Sequence, residues 1–178
     1  ELEAARWQAA AAGVREHRVI DVSFFGGLAT GASALTDPNL PVPNMADLDP
    51  QTRRQPPTYV PNRNLTLLSL AAAYAESLGI RDVFYGAQRQ DEYGYWDCTE
   101  EFLAAANSVL ALNRRQAVRV HAPFIRMRKA DELRLGMALG VDYAHTWSCY
   151  RGGARPCGTC PACADRAAAF RELGAPDP

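Results

Sequence analysis

"IRDVFYGAQRQDEYGYWDC", residues 80–98, is the stretch that decides the fold. Its opening, "IRDVFYGA", is a short apolar run ending at glycine and predicts a strand of a parallel sheet. The remainder, residues 88–98, is polar and aromatic and predicts a loop at the carboxyl end of that strand. In open α/β sheets that edge is where ligands bind.

Helices are predicted on both sides. "NLTLLSLAAAYAESL" (64–78) reads as a helix opened by an Asn64 cap and closed at Gly79, and "TEEFLAAANSVLALN" (99–113) as a helix opened by a Thr99 cap. "VRVHAPF" (118–124) follows as a short strand, "KADELRLGMALG" (129–140) as a helix and "VDYAHTW" (141–147) as a last strand. Upstream, "ELEAARWQAAAAGVREH" (1–17) reads as a helix stopped at Gly13, and "RVIDVSF" (18–24) as a buried strand. This alternation predicts an α/β fold with a doubly wound parallel sheet. The chain opens on a helix and offers three or four strands, so the expected sheet is N-terminally incomplete. Residues 26–62, with "DPNLPVPN" and "QPPTYVPN", form a stretch too long for an ordinary connection; such loops are functional or disordered.

"SCYRGGARPCGTCPAC" (148–163) holds four of the five cysteines, Cys149, Cys157, Cys160 and Cys163, spaced C-x7-C-x2-C-x2-C. With 178 residues the chain is about one domain and needs no covalent staple. There is no signal-like start and no apolar run near the roughly 20 residues of a membrane span, which predicts a cytoplasmic protein without membrane contact. Thiols stay reduced there, and clustered cysteines mean metal. Two Cys-x2-Cys steps share Cys160, with Gly158 giving the turn its freedom. That spacing suits a tetrahedral zinc ion; a redox or iron–sulfur site is the alternative. Four thiolates leave no position for water, so the expected zinc is structural. The chain divides into an α/β nucleotide- and substrate-binding domain, 1–147, and a zinc knuckle with terminal helix, 148–178.

Nineteen Lys and Arg against twenty Asp and Glu give a net charge of −1, a poor footprint for direct nucleic-acid binding. "RMRKADELR" (126–134) and "NRR" (113–115) alternate in sign or are short, and read as solvated faces.

Five blocks in order, "PVP" (41–43), "YVPNRN" (59–64), "GAQRQDEYGYWDC" (86–98), "APFIRMRKADE" (122–132) and "SCYRGGARPCGTCPACADRAAAF" (148–170), resemble the 7-cyano-7-deazaguanine synthases, a family of PP-loop ATP pyrophosphatases. The resemblance implies a Rossmann-like, adenine nucleotide hydrolase-type sheet. It also implies an ATP-dependent ligase that converts 7-carboxy-7-deazaguanine and ammonia to the nitrile through an adenylated intermediate, with Mg2+ on the phosphates, in the pathway to queuosine in transfer RNA. A homodimer is expected. The family's Ser-Gly-Gly-x-Asp-Ser phosphate loop does not occur in these residues; the Gly-Gly pairs at 26–27 and 152–153 lack the following Asp-Ser. Asn62, Trp96 and Thr99 stand where the family usually has Gly, Pro and Arg. A divergent relative that activates another carboxylate or stops at the amide, and a non-catalytic zinc-stabilised binding module, are the alternatives.

Residues carried over for substrate or nucleotide binding are Arg63, Asn64, Gly86, Asp91, Tyr95, Asp97, Cys98 and Lys129. None is assigned a catalytic role. Asp97 is expected to read the edge of a deazaguanine, its bland role being part of a helix cap. Cys98 has no base nearby in sequence and is expected to touch substrate or to be a small buried residue. Arg63 and Asn64 open a helix and suit an anion, or merely cap it. Tyr95 and Trp96 stack on a purine-like ring or pack the loop. Lys129 meets phosphate or faces solvent. His17, His121 and His145 are scattered and carry no role.

Overall fold

The computed structural model describes residues 1–49, 51, 55–89, 91 and 94–178. The parts of the predicted loops that fall on residues 50, 52–54, 90, 92 and 93 lie outside them. In chain order the elements are α1 (Leu2–Ala11), α2 (Ser23–Leu28), α3 (Arg63–Ser77), β1 (Asp82–Phe84), α4 (Glu100–Leu110), β2 (Arg119–His121), α5 (Lys129–Ala138) and α6 (Pro161–Glu172).

The centre is a β1–α4–β2 unit whose strands pair in parallel, Asp82 opposite Arg119, Val83 opposite Val120 and Phe84 opposite His121. Leu68 of α3, Phe102 of α4 and Val120 of β2 make one core with Val83 and Tyr85, and Ala72, Ala75 and Val118 extend it. Thr99 caps α4 as expected, its Oγ1 accepting from the N–H of Phe102 at 3.1 Å. Asn107, also on α4, stands in for a strand: its amide donates to the Val120 carbonyl at 2.9 Å and accepts from the Val120 N–H at 2.8 Å. The outer side of β2 is thereby satisfied, as a buried strand backbone requires. On β1, Phe84 is 72% exposed.

Three sequence expectations are corrected. "RVIDVSF" is not a strand: Val19 and Ile20 are half exposed, and the Asp21 carboxylate accepts from the Ser23 N–H at 2.8 Å, a local bond that starts α2 instead of a ladder. "VDYAHTW" is not a strand either. Asp142 accepts from the Ala144 N–H at 3.0 Å and opens a 3-10 turn over Tyr143–His145, so that Tyr143 turns inward, donates to the Leu133 carbonyl at 3.1 Å and meets Phe170 edge-to-face. The turn fits only because position 136 is glycine; a Cβ there would lie 2.0 Å from the Tyr143 hydroxyl. The third correction is the α3 cap. Asn62, not Asn64, is the N-cap, held at φ +56°. That left-handed conformation favours Gly and then Asn, which accounts for Asn62 standing where the family usually has Gly.

The long stretch before α3 is anchored where it is described. The Ala34 N–H donates to the Pro57 carbonyl at 2.7 Å, Ser33 is buried against the same carbonyl, and the Met45 N–H donates to the Thr159 carbonyl at 2.8 Å. Among the described residues no helix is long and apolar enough to cross a membrane.

Candidate functional site

Four sulfurs converge at the start of α6. The Sγ atoms of Cys149, Cys157, Cys160 and Cys163 all lie within 4.8 Å of one another, and none is in a disulfide. The Cys157 and Cys163 sulfurs are 4.0 Å apart, close to the ~3.8 Å that four bonds of ~2.3 Å to one tetrahedral ion would set. Cys160 is fully buried as the N-cap of α6, with Pro161 at the first helical position where its missing N–H costs nothing. Gly158, at φ +75°, makes the turn between two thiols. Backbone amides already point at sulfur: Cys160 N–H to Cys157 at 3.3 Å and Cys157 N–H to Cys149 at 3.4 Å. Burial raises the Cys157 thiol, but the N–H groups of Cys160 and Thr159 outweigh it and bring it to about 5, while burial pushes Cys163 up to about 12. Thiols this crowded ionise together only around a cation.

The knuckle is fastened to the rest of the chain by Arg151, a residue the sequence reading passed over. Its guanidinium donates to Thr159 Oγ1 at 2.8 Å, the Val42 carbonyl at 2.9 Å and Asn44 Oδ1 at 2.9 Å. Val42 packs on the cysteines, which gives the "PVP" block its purpose.

The second site lies at the carboxyl end of β1. Asp97, in a 3-10 turn before α4, is 1% exposed; its Oδ2 accepts from the Asn64 N–H at 3.3 Å, and its buried Oδ1 has no partner among the described residues. The Asn64 side chain donates to the Tyr85 hydroxyl at 3.1 Å and to Cys98 Sγ at 3.4 Å, and accepts from Arg63 Nε at 3.3 Å. Tyr85 in turn donates to the Asp97 carbonyl at 2.6 Å and sits 3.2 Å from Cys98 Sγ. Arg63, Asn64, Asp97 and Cys98 are thus one network, and the capping roles fall to Asn62 and Thr99 instead.

Asp91 adjoins this network, its carboxylate 3.4 Å from the Gln88 amide and within the fields of Lys129 and Arg63. Lys129 is the first residue of α5 and Arg63 the first of α3, so both cations stand at helix N-termini. The Tyr95 hydroxyl bonds to Thr58 Oγ1 at 2.7 Å, and Tyr95 adds to the burial that raises the Tyr150 phenol of the knuckle. Gly86 is exposed after β1, and a Cβ built there meets no atom within 4 Å. Trp96 packs edge-to-face on Phe102 and donates to the Tyr59 hydroxyl at 2.7 Å, the packing role.

Burial dominates the electrostatics. It raises Asp97 and Asp91 above the ordinary carboxylate range, pushes Cys98 up to about 11 and raises Tyr85. Burial thus favours the protonated thiol of Cys98, which accepts from the Asn64 amide and lies beside the Tyr85 hydroxyl. Glu132, one helical turn after Lys129, is pushed up to about 7 by burial, and its Oε1 has no partner among the described residues. Tyr85, Gln88, Glu132 and Tyr150 were missed as site residues although all four lie in or beside the quoted blocks; nothing in their spacing marks them.

Among cavities lined by described residues, one of about 320 Å³ opens beside Arg63, walled by Val22, Phe25, Leu35, Val60 and Leu67. A larger one, about 570 Å³, lies between α1 and the knuckle at Trp7, His145 and Tyr150, and none of the sequence-predicted substrate residues lines it. In the predicted basic stretch 126–134 the arginines are paired: Arg126 with Glu100, Arg128 with Glu172 and Arg134 with Asp131.

A parallel α/β core, a buried polar network at its carboxyl edge and a four-cysteine metal site define an enzyme-like class of small-molecule-binding protein. Residues 1–174 match the family model described as "Queuosine biosynthesis protein QueC", and the chain belongs to that family. It is 46% identical over 162 residues to a 7-cyano-7-deazaguanine synthase of Caldicellulosiruptor bescii, covering 91% of this chain and 71% of that protein. A synthase of the same name from Cupriavidus necator is 46% identical over 187 residues, covering all of this chain and 78% of that protein. One from Trichodesmium erythraeum is 41% identical over 183 residues, covering all of this chain and 81% of that protein.

Proposed function

We propose that the chain is an ATP-dependent carbon–nitrogen ligase that converts 7-carboxy-7-deazaguanine and ammonia to 7-cyano-7-deazaguanine, a step toward queuosine. The observation that carries this is the unpartnered, buried Oδ1 of Asp97. A buried acceptor without a donor costs on the order of 1–3 kcal/mol, and a deazaguanine edge supplies two donors, the ring N–H and the amino group. The raised Asp97 carboxyl is returned to its charged form by such donors.

The chemistry follows from the substrate. A carboxylate resists ammonia until its oxygen becomes a leaving group, which adenylation provides; the amide forms, and a second adenylation permits dehydration to the nitrile. Arg63 and Lys129, at the N-termini of α3 and α5, suit the anionic groups of substrate and nucleotide, whose phosphates would carry Mg2+. The cleft beside Arg63 has apolar walls suited to a ring. Cys149, Cys157, Cys160 and Cys163 would hold one zinc, whose role is to fix the knuckle.

The same reading includes a doubly wound sheet in which a further strand, bearing the phosphate loop, pairs with β1. Its support is the exposed Phe84 and the half-exposed Val19 and Ile20, apolar residues that a fuller sheet would cover. It places residues 1–147 in the nucleotide- and substrate-binding domain and 148–178 in the zinc module. A cytoplasmic homodimer completes it, supported by apolar exposure at Leu65, Trp96 and Val109; light scattering checks the dimer. Incubating the full-length protein with ATP, Mg2+, ammonia and the carboxylate tests the activity: nitrile with AMP is expected, and an amide end product or no turnover supports the divergent or non-catalytic reading.

A further inference from the structure

Residues 58–64, leading into α3, and residues 95–98, leading into α4, lie against one another, yet among the described residues no backbone–backbone hydrogen bond joins them. Side chains join them instead, in sequence order. Thr58 Oγ1 meets the Tyr95 hydroxyl at 2.7 Å, the Trp96 Nε1–H donates to the Tyr59 hydroxyl at 2.7 Å, and the main-chain N–H and side-chain amide of Asn64 reach Asp97 and Cys98 at 3.3 and 3.4 Å. Each residue from 95 to 98 is held by a bond with a side chain in it, so the setting of Asp97 depends on those side chains and not on a strand ladder.

Tyr59 is where the bonds on the two segments meet. It is 8% exposed, and its hydroxyl oxygen accepts from both sides, from Trp96 Nε1 and from the Asn62 N–H at 3.3 Å, which uses both acceptor positions of a phenol. On one side Asn62, at φ +56°, is the N-cap that starts α3 and so aims the Asn64 N–H at Asp97. On the other, Trp96 immediately precedes Asp97 and is seated edge-to-face on Phe102, and Thr99 Oγ1 donates to the Trp96 carbonyl at 2.9 Å. Asn62, Trp96 and Thr99, the positions at which this chain departs from its family's usual residues, are thereby one connected set.

Resting on the ligase reading, we propose that Tyr59 is a positioning residue for the deazaguanine carboxylate: its hydroxyl ties the start of α3 to the 96–98 turn and so fixes where Asp97 Oδ1 stands for the ring N–H and amino group of the ligand. Tyr59 acts through Asp97 and takes no part in the transfer of nitrogen. Hydrogen bonds weaken steeply as their angle closes, so a small displacement of the Asp97 acceptor is felt by both donors. The fold itself depends little on the bond, because Trp96 is half exposed and its freed N–H meets water. Loss of the hydroxyl therefore shows in recognition before it shows in stability.

The test uses the full-length protein with Tyr59→Phe and, separately, Trp96→Phe, each of which removes the bond and keeps an aromatic ring; either suffices if the other does not fold. Affinity for 7-carboxy-7-deazaguanine without ATP is read by titration calorimetry, and turnover by steady-state kinetics. Each variant is expected to weaken binding and raise KM for the carboxylate roughly tenfold, with kcat, KM for ATP and zinc content unchanged. Added to Asp97→Asn, Tyr59→Phe is expected to cost less than about a further twofold, because the two act through one acceptor. An unaltered carboxylate affinity in both variants overturns the positioning role, as does a loss that persists in full on top of Asp97→Asn, or a fall in kcat with KM unmoved. Weakened binding in the variants of a parent that makes no nitrile leaves the positioning role standing and refutes the ligase reading. Nitrile formation by the parent with unaltered carboxylate affinity in both variants does the reverse, and a parent that neither binds nor converts the carboxylate overturns both.

Discussion

The Asn64 N–H at the start of α3 holds Oδ2 of Asp97 at 3.3 Å, and leaves Oδ1 of the same carboxylate buried and open to a ligand. One oxygen fixes the orientation; the other does the recognising. Asp97→Asn keeps the shape but sets an N–H₂ group where an acceptor is needed. It is expected to lower kcat/KM for the deazaguanine carboxylate by about 3 kcal/mol, roughly a hundredfold, with little change in melting temperature. Steady-state kinetics check this, and an unaltered kcat/KM moves recognition away from Asp97.

Cys160→Ser removes the one thiol common to both Cys-x2-Cys steps, at the buried N-cap position of α6. Zinc content is expected to fall from near one per chain to well below, with a lower melting temperature. The damage reaches further than the knuckle, because Phe170 of α6 packs with Ala130 and Leu133 of α5 and against Tyr143. Hydrogen exchange should therefore quicken in α6 and in the 143–145 turn together. Full zinc and full protection in the variant would falsify the structural role.

The knuckle and the capped α4 were legible because their signals are local: thiol spacing, Gly158, and a Thr three residues before the Phe102 N–H it accepts from. "VDYAHTW" was misread because its apolar residues fit a short strand, while the deciding contacts, Tyr143 with Leu133 and Phe170, are tertiary. "RVIDVSF" failed for the complementary reason: a strand needs a neighbour, and the Asp21 to Ser23 bond prevails where none is supplied. In the site, Asp97, Cys98, Asn64 and Arg63 were picked out by resemblance, whereas Tyr85, Gln88 and Glu132 are ordinary in sequence and become significant only once folding buries them.

Glu132 gives a pH signature of stability. Its carboxyl is raised from 4.5 to about 7 on folding, mainly by burial, so its favourable contribution is complete below about 4.5 and is lost as pH climbs through about 7. Glu132→Gln removes that loss. Without ligands, the variant is expected to be more stable than the parent at pH 8 by about 1–2 kcal/mol, discounted because the side chain is only partly buried, and to show no such gain at pH 4.5. Thermal melts at the two pH values check it; a parent that is more stable at pH 8 contradicts the burial argument.

Arg151 joins the knuckle to residues 42–44 through three hydrogen bonds from one guanidinium. Lysine lacks the planar fork and cannot make them together. Arg151→Lys is expected to keep zinc but to expose the 42–48 segment, seen as faster limited proteolysis there and a loss of about 1–2 kcal/mol of stability. Unchanged cleavage would show that Val42 packing alone holds the segment.

The central claim is that the network around Asp97 recognises a deazaguanine carboxylate for ATP-driven nitrile formation. Mass spectrometry of the products made by the full-length protein from 7-carboxy-7-deazaguanine, ATP, Mg2+ and ¹⁵N-ammonium tests it most directly. The expected result is ¹⁵N in the nitrile of 7-cyano-7-deazaguanine with AMP formed alongside, and loss of both in Asp97→Asn. A labelled amide that accumulates without nitrile, or ATP consumption that ignores the carboxylate, contradicts it.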